Sequence, residues 1–302
     1  RSTALLGERA TPAAVERINE LYGFDRPLVE QYFTWAGRLL QADFGSSIRT
    51  GRPVLTEFAT RFPATIELTV VALLLAVGVG IPLGYVAARR RGTLVDHAAV
   101  VASLVGVTVP VFFLAFILKY VLAVELGWLP SAGRQTTTMI ATHPTGFYVL
   151  DGVLTGEWDA AWDALAHLVL PGLALSSIPL AIVTRMTRAS VAEVVGADYV
   201  RTARAKGIRA SRLRTDHILR NAMLPVVTTI GLQVGLLLSG AVLTETVFAF
   251  NGIGSFLFQS IFNLDYPVLQ GFILLIAVVY ALVNLLVDVS YGLIDPRLRV
   301  QQ

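Results

Sequence analysis

Five long apolar stretches constrain this chain more than anything else, near residues 65–88, 98–124, 165–183, 224–243 and 268–287. About 20 apolar residues in helical form are needed to cross a hydrocarbon core roughly 30 Å thick, and each stretch meets or nearly meets that length. Only 15% of the residues are charged, well below the roughly 25% of soluble chains. The chain reads as an all-α, polytopic transmembrane helix bundle whose first partner is the lipid bilayer.

Lysine and arginine beside the spans set the orientation, since loops on the cytoplasmic side carry them in excess. Arg89, Arg90 and Arg91 follow the first span, and Arg185, Arg188, Arg201, Arg204, Lys206, Arg209, Arg212, Arg214 and Arg220 lie between the third and fourth. Both places belong inside, as does the basic tail 291–302. The 125–163 loop sets Glu125, Asp151, Glu157, Asp159 and Asp163 against a single Arg134 and belongs outside. Residues 65–290 then form the transmembrane domain, with a cytoplasmic loop at 187–223. Five crossings leave residues 1–64 outside without a signal to carry them there, so a further span is expected before them. The net charge of +3 is explained by the inside loops, and nucleic acid is not expected as a partner. The absence of cysteine excludes disulfides, thiolate catalysis and the common zinc frameworks.

The outside region carries helical signals. Thr11 and Pro12 form a start, Val15, Ile18 and Tyr22 share a face, and Gly23 can end the helix. A second helix is expected from about Pro27, where Leu28, Tyr32, Trp35 and Leu39 make one apolar stripe that should pack into a core. The 246–268 segment is apolar but interrupted by Asn251, Gly252, Gly254 and Asp265, too broken to span; it suits a helix folded back into the mouth of a pathway.

Ionisable groups within apolar spans tend to face a cavity or a partner. Lys119 and Glu245 are the substrate-pathway candidates on that ground. Glu67 and Asp288, near span ends, are expected to snorkel or cap. Pro82 and Pro110 should kink their helices.

The stretch "DYVRTARAKG", 198–207, interrupts this apolar background. Asp198 can cap a short helix, and Gly207 suits the left-handed residue that ends one. Two turns are too few to stand alone in water, so such a helix must dock against something. Thr202 and Ala203 keep part of its surface small enough for close approach, while Arg201, Arg204 and Lys206 can meet acidic or polar groups. A solvated basic loop is the plainer alternative, and charge alone does not separate the two.

Pattern does. The run "RTARAKGIRASRLRTDHILRNAMLPVV", with its small-residue helix, Gly207 and Leu224-Pro225, resembles the cytoplasmic signature of ABC importer permease subunits. Their dipeptide/oligopeptide branch is similar in "RFPATIELT", "IPLGYVAARRRGTLVD", "HPTGFYVLDGVLTGEWDA", "GAVLTETVF", "DYPVLQG" and "NLLVDVSYGLIDPRLR", in the same order along nearly the whole chain. The usual glutamate-alanine-alanine opening is replaced by Arg201, Thr202 and Ala203, as that branch usually has it. The resemblance implies a type I importer permease in a bacterial or archaeal inner membrane. Its expected partners are a second related permease, two ABC ATPase subunits and an extracytoplasmic substrate-binding protein. It also implies that Asp198, Tyr199, Arg201, Thr202, Ala203, Arg204, Lys206 and Gly207 form the coupling helix that docks on an ATPase subunit. Cargo would be dipeptides or oligopeptides, with nickel or another small solute as the alternative.

No G-x-x-x-x-G-K-[ST] run occurs, so ATP and magnesium would be used by the partner subunits and no cofactor is expected on this chain. His97, His143, His167 and His217 are scattered, with no H-E-x-x-H and no G-x-S-x-G. No catalytic or metal-ligating residues are expected. A channel or secondary transporter independent of ATP is the remaining class; it would need matched broken-helix repeats or midplane charges, and no clear internal repeat is visible.

Overall fold

Long apolar runs without water-accessible alternatives for their backbone groups become helices, and the computed structural model, which describes residues 11–13, 16 and 25–294, is helical almost throughout. The expected first helix through Val15, Ile18 and Tyr22, and the "DPRLRV" tail, lie outside the described residues. In order come α1 (Leu28–Leu40), α2 (Val54–Arg89), α3 (Leu94–Thr108), α4 (Val111–Leu118) with a π-helical continuation Lys119–Glu125, and α5 (Tyr148–Thr155). There follow α6 (Trp158–Val195), α7 (Asp198–Ala205), a turn Ala210–Arg212 with a π-helical stretch Leu213–Leu219, α8 (Arg220–Val247), α9 (Ile253–Phe262) and α10 (Tyr266–Ile294).

Four helical segments among the described residues are long and apolar enough to cross a membrane, and a fifth crossing is possible if α3 and α4 count as one. Those two meet at a bend of 103°. The break falls at Val109 and Pro110, because proline disfavours helical geometry in the residue before it; Val109 is extended, with φ −73° and ψ 123°. The second apolar stretch is therefore a broken element and not the merely kinked helix its length suggests.

The core is built where α2 lies along α6. Ala64, Leu68 and Ala72 of α2 pack with Leu168 and Leu175 of α6 and with Leu237 and Ala241 of α8. Glycine allows α2 and α6 to approach further along: a Cβ at Gly84 would stand 2.5 Å from the Thr184 carbonyl oxygen and 2.7 Å from the Thr187 Cβ. Small residues at a helix crossing let backbones come close, which is the main route to tight packing where lipid removes the hydrophobic drive.

One expectation needs correction. The apolar stripe of α1 does not pack into a core of this chain: Leu28 is 71% and Tyr32 60% exposed, and no residue of α1 is buried. Within the 187–223 stretch α6 continues to Val195, α7 follows, and the π-helical stretch begins at Leu213. A loop from Ser46 to Pro53 precedes α2, and Ser47 donates to Asp265 Oδ2 at 2.6 Å, clasping it to the turn before α10.

Candidate functional site

The ends of α2, α6 and α8 divide the bundle into a basic end, where α2 finishes at Arg89 and α7 follows α6, and a far end, where α8 finishes at Val247.

At the basic end α7 is a short amphipathic helix with one face against its own chain. Val200 and Ala203 are buried against Val191, Leu213, Ile218 and Ala222, with Tyr85, Ala88, Val194, Val195 and Ile208 around them. Asp198, Tyr199, Arg201, Thr202, Arg204, Lys206 and Gly207 are exposed. Ala203, 6% exposed, therefore cannot belong to the outward face expected of it; its small side chain brings α7 close to the chain's own following helix. Asp198 does not cap either. The N-cap is Ala197, in extended conformation with no side-chain cap bond, and Asp198 opens the first turn and pairs with Arg201 at 3.6 Å.

The other end of α7 is closed as a Schellman motif. The Gly207 N–H donates to the Arg204 carbonyl at 3.0 Å, the Ile208 N–H donates to the Ala203 carbonyl at 3.3 Å, and Gly207 is left-handed at φ +72°. Ile208 then folds back onto the same apolar cluster as Ala203. Tyr199 adds a polar tether: its hydroxyl accepts from Asn221 Nδ2 at 3.1 Å and donates to the His217 carbonyl at 3.3 Å. His217 contributes its backbone here. A helix too short to hold itself together is thus fixed by its cap, its buried face and its tyrosine.

One link between helices is not apparent from the sequence. Asp96, in the first turn of α3, takes both Nε and Nη2 of Arg188 on α6, the second at 2.8 Å, and also accepts the Gly92 N–H at 3.0 Å. From the sequence alone Arg188 is one more inside charge. An acidic residue in the first turn of an otherwise apolar helix, beside a Gly-rich turn, is the signal that could have singled out its partner.

The far end holds both pathway candidates. Glu245, fully buried, accepts from the Thr65 hydroxyl at 2.6 Å and from the Ser255 N–H at 2.8 Å. Thr65 in turn accepts the Ile253 N–H at 2.9 Å. An acid and a hydroxyl from other helices therefore cap the start of α9, where the orphan N–H groups and the positive end of the helix dipole lie. Glycine at residue 252 leaves room for the Glu245 carboxylate, since a Cβ there would stand 2.3 Å from it. Lys119 meets the opposite pole of a different helix: its ammonium donates to the Val247 carbonyl at 2.8 Å, at the end of α8. The two candidates flank the last turns of α8 without bonding to each other, and each is engaged by the protein itself.

Glu67 caps and does not snorkel. It accepts the Val149 N–H, in the first turn of α5, at 2.9 Å and pairs with Arg134 at 2.8 Å, and the Arg134 guanidinium also covers the Tyr148 ring at 3.7 Å. The strap through residues 134–149 is held to α2 in this way. No group of three or more histidines, aspartates or glutamates placed to hold a metal occurs among the described residues.

Residues 80–300 match the family model of the binding-protein-dependent transport system inner membrane component. The chain belongs to this family. The permease is 44% identical over 299 residues to the dipeptide transport system permease protein DppB of Escherichia coli K12, covering 98% of this chain and 88% of that protein. It is 45% identical over 300 residues to the di/tripeptide transport system permease protein DppB of Pseudomonas aeruginosa, covering 99% and 89%. Its fold is similar to a chain of the inward-facing MetNI methionine ABC transporter, with a TM-score of 0.56 at 16% identity over 77% of this chain and 93% of that one. The permease is thus a multi-pass membrane protein and a transport subunit of a multi-component importer.

Proposed function

We propose that this permease forms half of the translocation pathway of an ATP-driven importer of dipeptides. The observation that carries the reading is its likeness, along almost the whole chain, to permeases named for dipeptide transport. A second related permease would complete the pathway, two ABC ATPase subunits would bind and hydrolyse ATP with magnesium, and an extracytoplasmic binding protein would deliver cargo. The chain has no phosphate-cradling glycine loop of its own, in keeping with hydrolysis by partners.

In this reading α7 is the coupling helix, with the basic end facing the cytoplasm. Its buried face joins it to α2, α6 and the start of α8, while Tyr199, Arg201, Thr202, Arg204 and Lys206 offer their exposed atoms to a cleft of an ATPase subunit. Ala203 and Gly207 act from behind, by seating and ending the helix. Closure of the ATPase pair then pushes a block already packed to the bundle, and the spans tilt so that cargo can pass from the binding protein. Lys119 and Glu245 serve the pathway by holding the end of α8 and the start of α9 at the outer mouth, and not by touching cargo.

The test is uptake of a labelled dipeptide by cells carrying the complete system, with and without this chain. Uptake that requires the chain and stops when ATP is depleted is expected. Uptake that persists without ATP would return the chain to the channel class, and ATP-dependent uptake of nickel but not of dipeptide would replace the cargo.

A further inference from the structure

The attachment of α3 to the rest of the bundle is unusual. Only Asp96 and Ser103 of its residues are buried, while Val101, Leu104 and Val105 are at least half exposed. Apolar burial therefore does little for the first half of α3, while the second half rests on α6 where Gly106 approaches Ser177 and Ala181. The Asp96 carboxylate, itself nearly fully buried, instead holds the Arg188 guanidinium in a two-point contact across 92 residues of sequence and ties the Gly92 turn to the same spot. Paired guanidinium and carboxylate groups of this kind fix orientation as well as distance.

Arg188 stands about two turns before the end of α6, between the Gly84 crossing and the cluster that seats α7. At Gly84 the backbones of α2 and α6 are in contact, so those two helices cannot slide past each other without a clash. Tyr85 and Ala88 at the end of α2 touch the α7 cluster directly. The ends of α2, α6 and α7 are thus one packed block; α3 lies against α6 at Gly106, where a Cβ would stand 3.3 Å from the Ser177 carbonyl oxygen, and the polar contact at Asp96 ties the start of α3 to the block. Arg188 keeps 30% of its side chain exposed, so the cost of leaving water falls mainly on Asp96, and the two-point geometry is what the pair supplies beyond stability.

We infer that the Asp96–Arg188 ion pair is the strut through which movement of α7 reaches the bent α3–α4 element. Both are positioning residues: neither touches cargo or nucleotide. The inference rests on the proposed role of α7 as the coupling helix. With the strut intact, displacement of the block carries the start of α3 with it and changes the angle at Pro110. Without it, α2 and α6 still respond to the ATPases but α3 and α4 lag, and hydrolysis proceeds with less transport.

The experiment uses the complete importer in proteoliposomes, with its binding protein and a labelled dipeptide, measuring ATP hydrolysed and dipeptide delivered together. The double variant Asp96→Asn/Arg188→Gln removes both charges without leaving one buried and unpaired. Its ATP consumed per dipeptide should rise about tenfold, within the usual range of coupling between sites. Hydrolysis and uptake falling in parallel, with the ratio unchanged, would overturn the inference and leave the pair a purely structural one.

A second variant guards against misfolding. The chain has no cysteine, so Asp96→Cys/Arg188→Cys introduces its only pair of thiols, and a short bifunctional thiol reagent can rebuild the strut without charge. The ratio should be high before cross-linking and return towards the parent value after it; no change on cross-linking, confirmed by mass spectrometry, counts against the strut. A Gly207→Val variant runs beside both. If it transports normally, the coupling-helix reading itself has failed; if it is inactive while the strut variants keep the parent ratio, only the present inference has.

Discussion

The far end of the bundle and the helix α7 handle charge in opposite ways. At the far end Glu245, Glu67, Asp151 and Asp265 are buried and each is answered from within the chain, by hydroxyls, backbone N–H groups or Arg134. At the basic end α7 buries only Val200 and Ala203 and leaves its arginines, its lysine and Asp198 in the open, with Asp198–Arg201 as its one loose internal pair. Buried polar groups without partners cost about 1–3 kcal/mol each, which is the physical reason the four far-end acids meet donors of the chain. Exposed charge on a seated helix is what the proposed docking of α7 on an ATPase subunit would use.

The strongest way to break this contrast is to put a charge on the wrong side of α7. Ala203→Glu forces a carboxylate into the cluster of Leu213, Ile218 and Ala222 and should abolish dipeptide uptake while the chain still inserts, as uptake and membrane fractionation will show. Normal uptake in that variant would mean that α7 need not be seated at all.

At the far end Glu245→Leu leaves the N–H of Ser255 and the hydroxyl of Thr65 without their acceptor. A loss of about 2–4 kcal/mol in stability is expected from two such groups, read as a lowered midpoint of thermal unfolding in detergent. Gly252→Ala should act in the same direction by pushing the carboxylate aside, and a neutral result for either would undo the account of the α9 cap.

A gentler change sharpens the comparison. Arg201→Ala removes an exposed pair worth no more than about 0.5 kcal/mol to the fold, so the unfolding midpoint should barely move. ATPase stimulation on docking should nevertheless fall if the outward face is the one that meets the partner. Equal effects on both measurements would make Arg201 structural.

The smallest effect concerns pH on the far side. The Glu157 carboxyl is held below its usual range chiefly by the Thr142 N–H it accepts, helped by the Thr142 hydroxyl and opposed by burial. A depressed carboxyl contributes stability above its unfolded value, near 4.5, and loses that contribution as pH falls through the lower folded value. Protection of the Thr142 amide, taken relative to its intrinsic exchange rate at each pH, should therefore fall below about pH 4.5, while protection in α7, which lacks such a contact, stays unchanged.

Much of this was legible in the sequence, for different reasons in different places. Spans announce themselves by length and apolarity, and Gly207 by being the residue that a left-handed helix stop prefers. Glu245 stands out because an acid among apolar neighbours is conspicuous. Its partner Thr65 does not, since a threonine in an apolar helix is ordinary and the contact joins residues 180 positions apart. The inward direction of Ala203 depends on which side the following helix covers, and that is set by packing rather than by the short helix itself. The α1 stripe has the right period for burial, but period does not supply a partner. Asp96 and Arg188 each have a plausible local role, and only their meeting in space gives them a joint one.

The cap on α9 also bears on the order in which this chain can be made. The hydroxyl of Thr65 leaves the ribosome long before Glu245, and the N–H groups they hold, on Ile253 and Ser255, come later still. Until α2 and α8 stand side by side in the bilayer, the N–H groups of Ile253 and Ser255 lack these two acceptors. That segment is therefore among the last to settle during biogenesis, and a chain whose early and late spans have failed to meet would betray itself to quality control at this point.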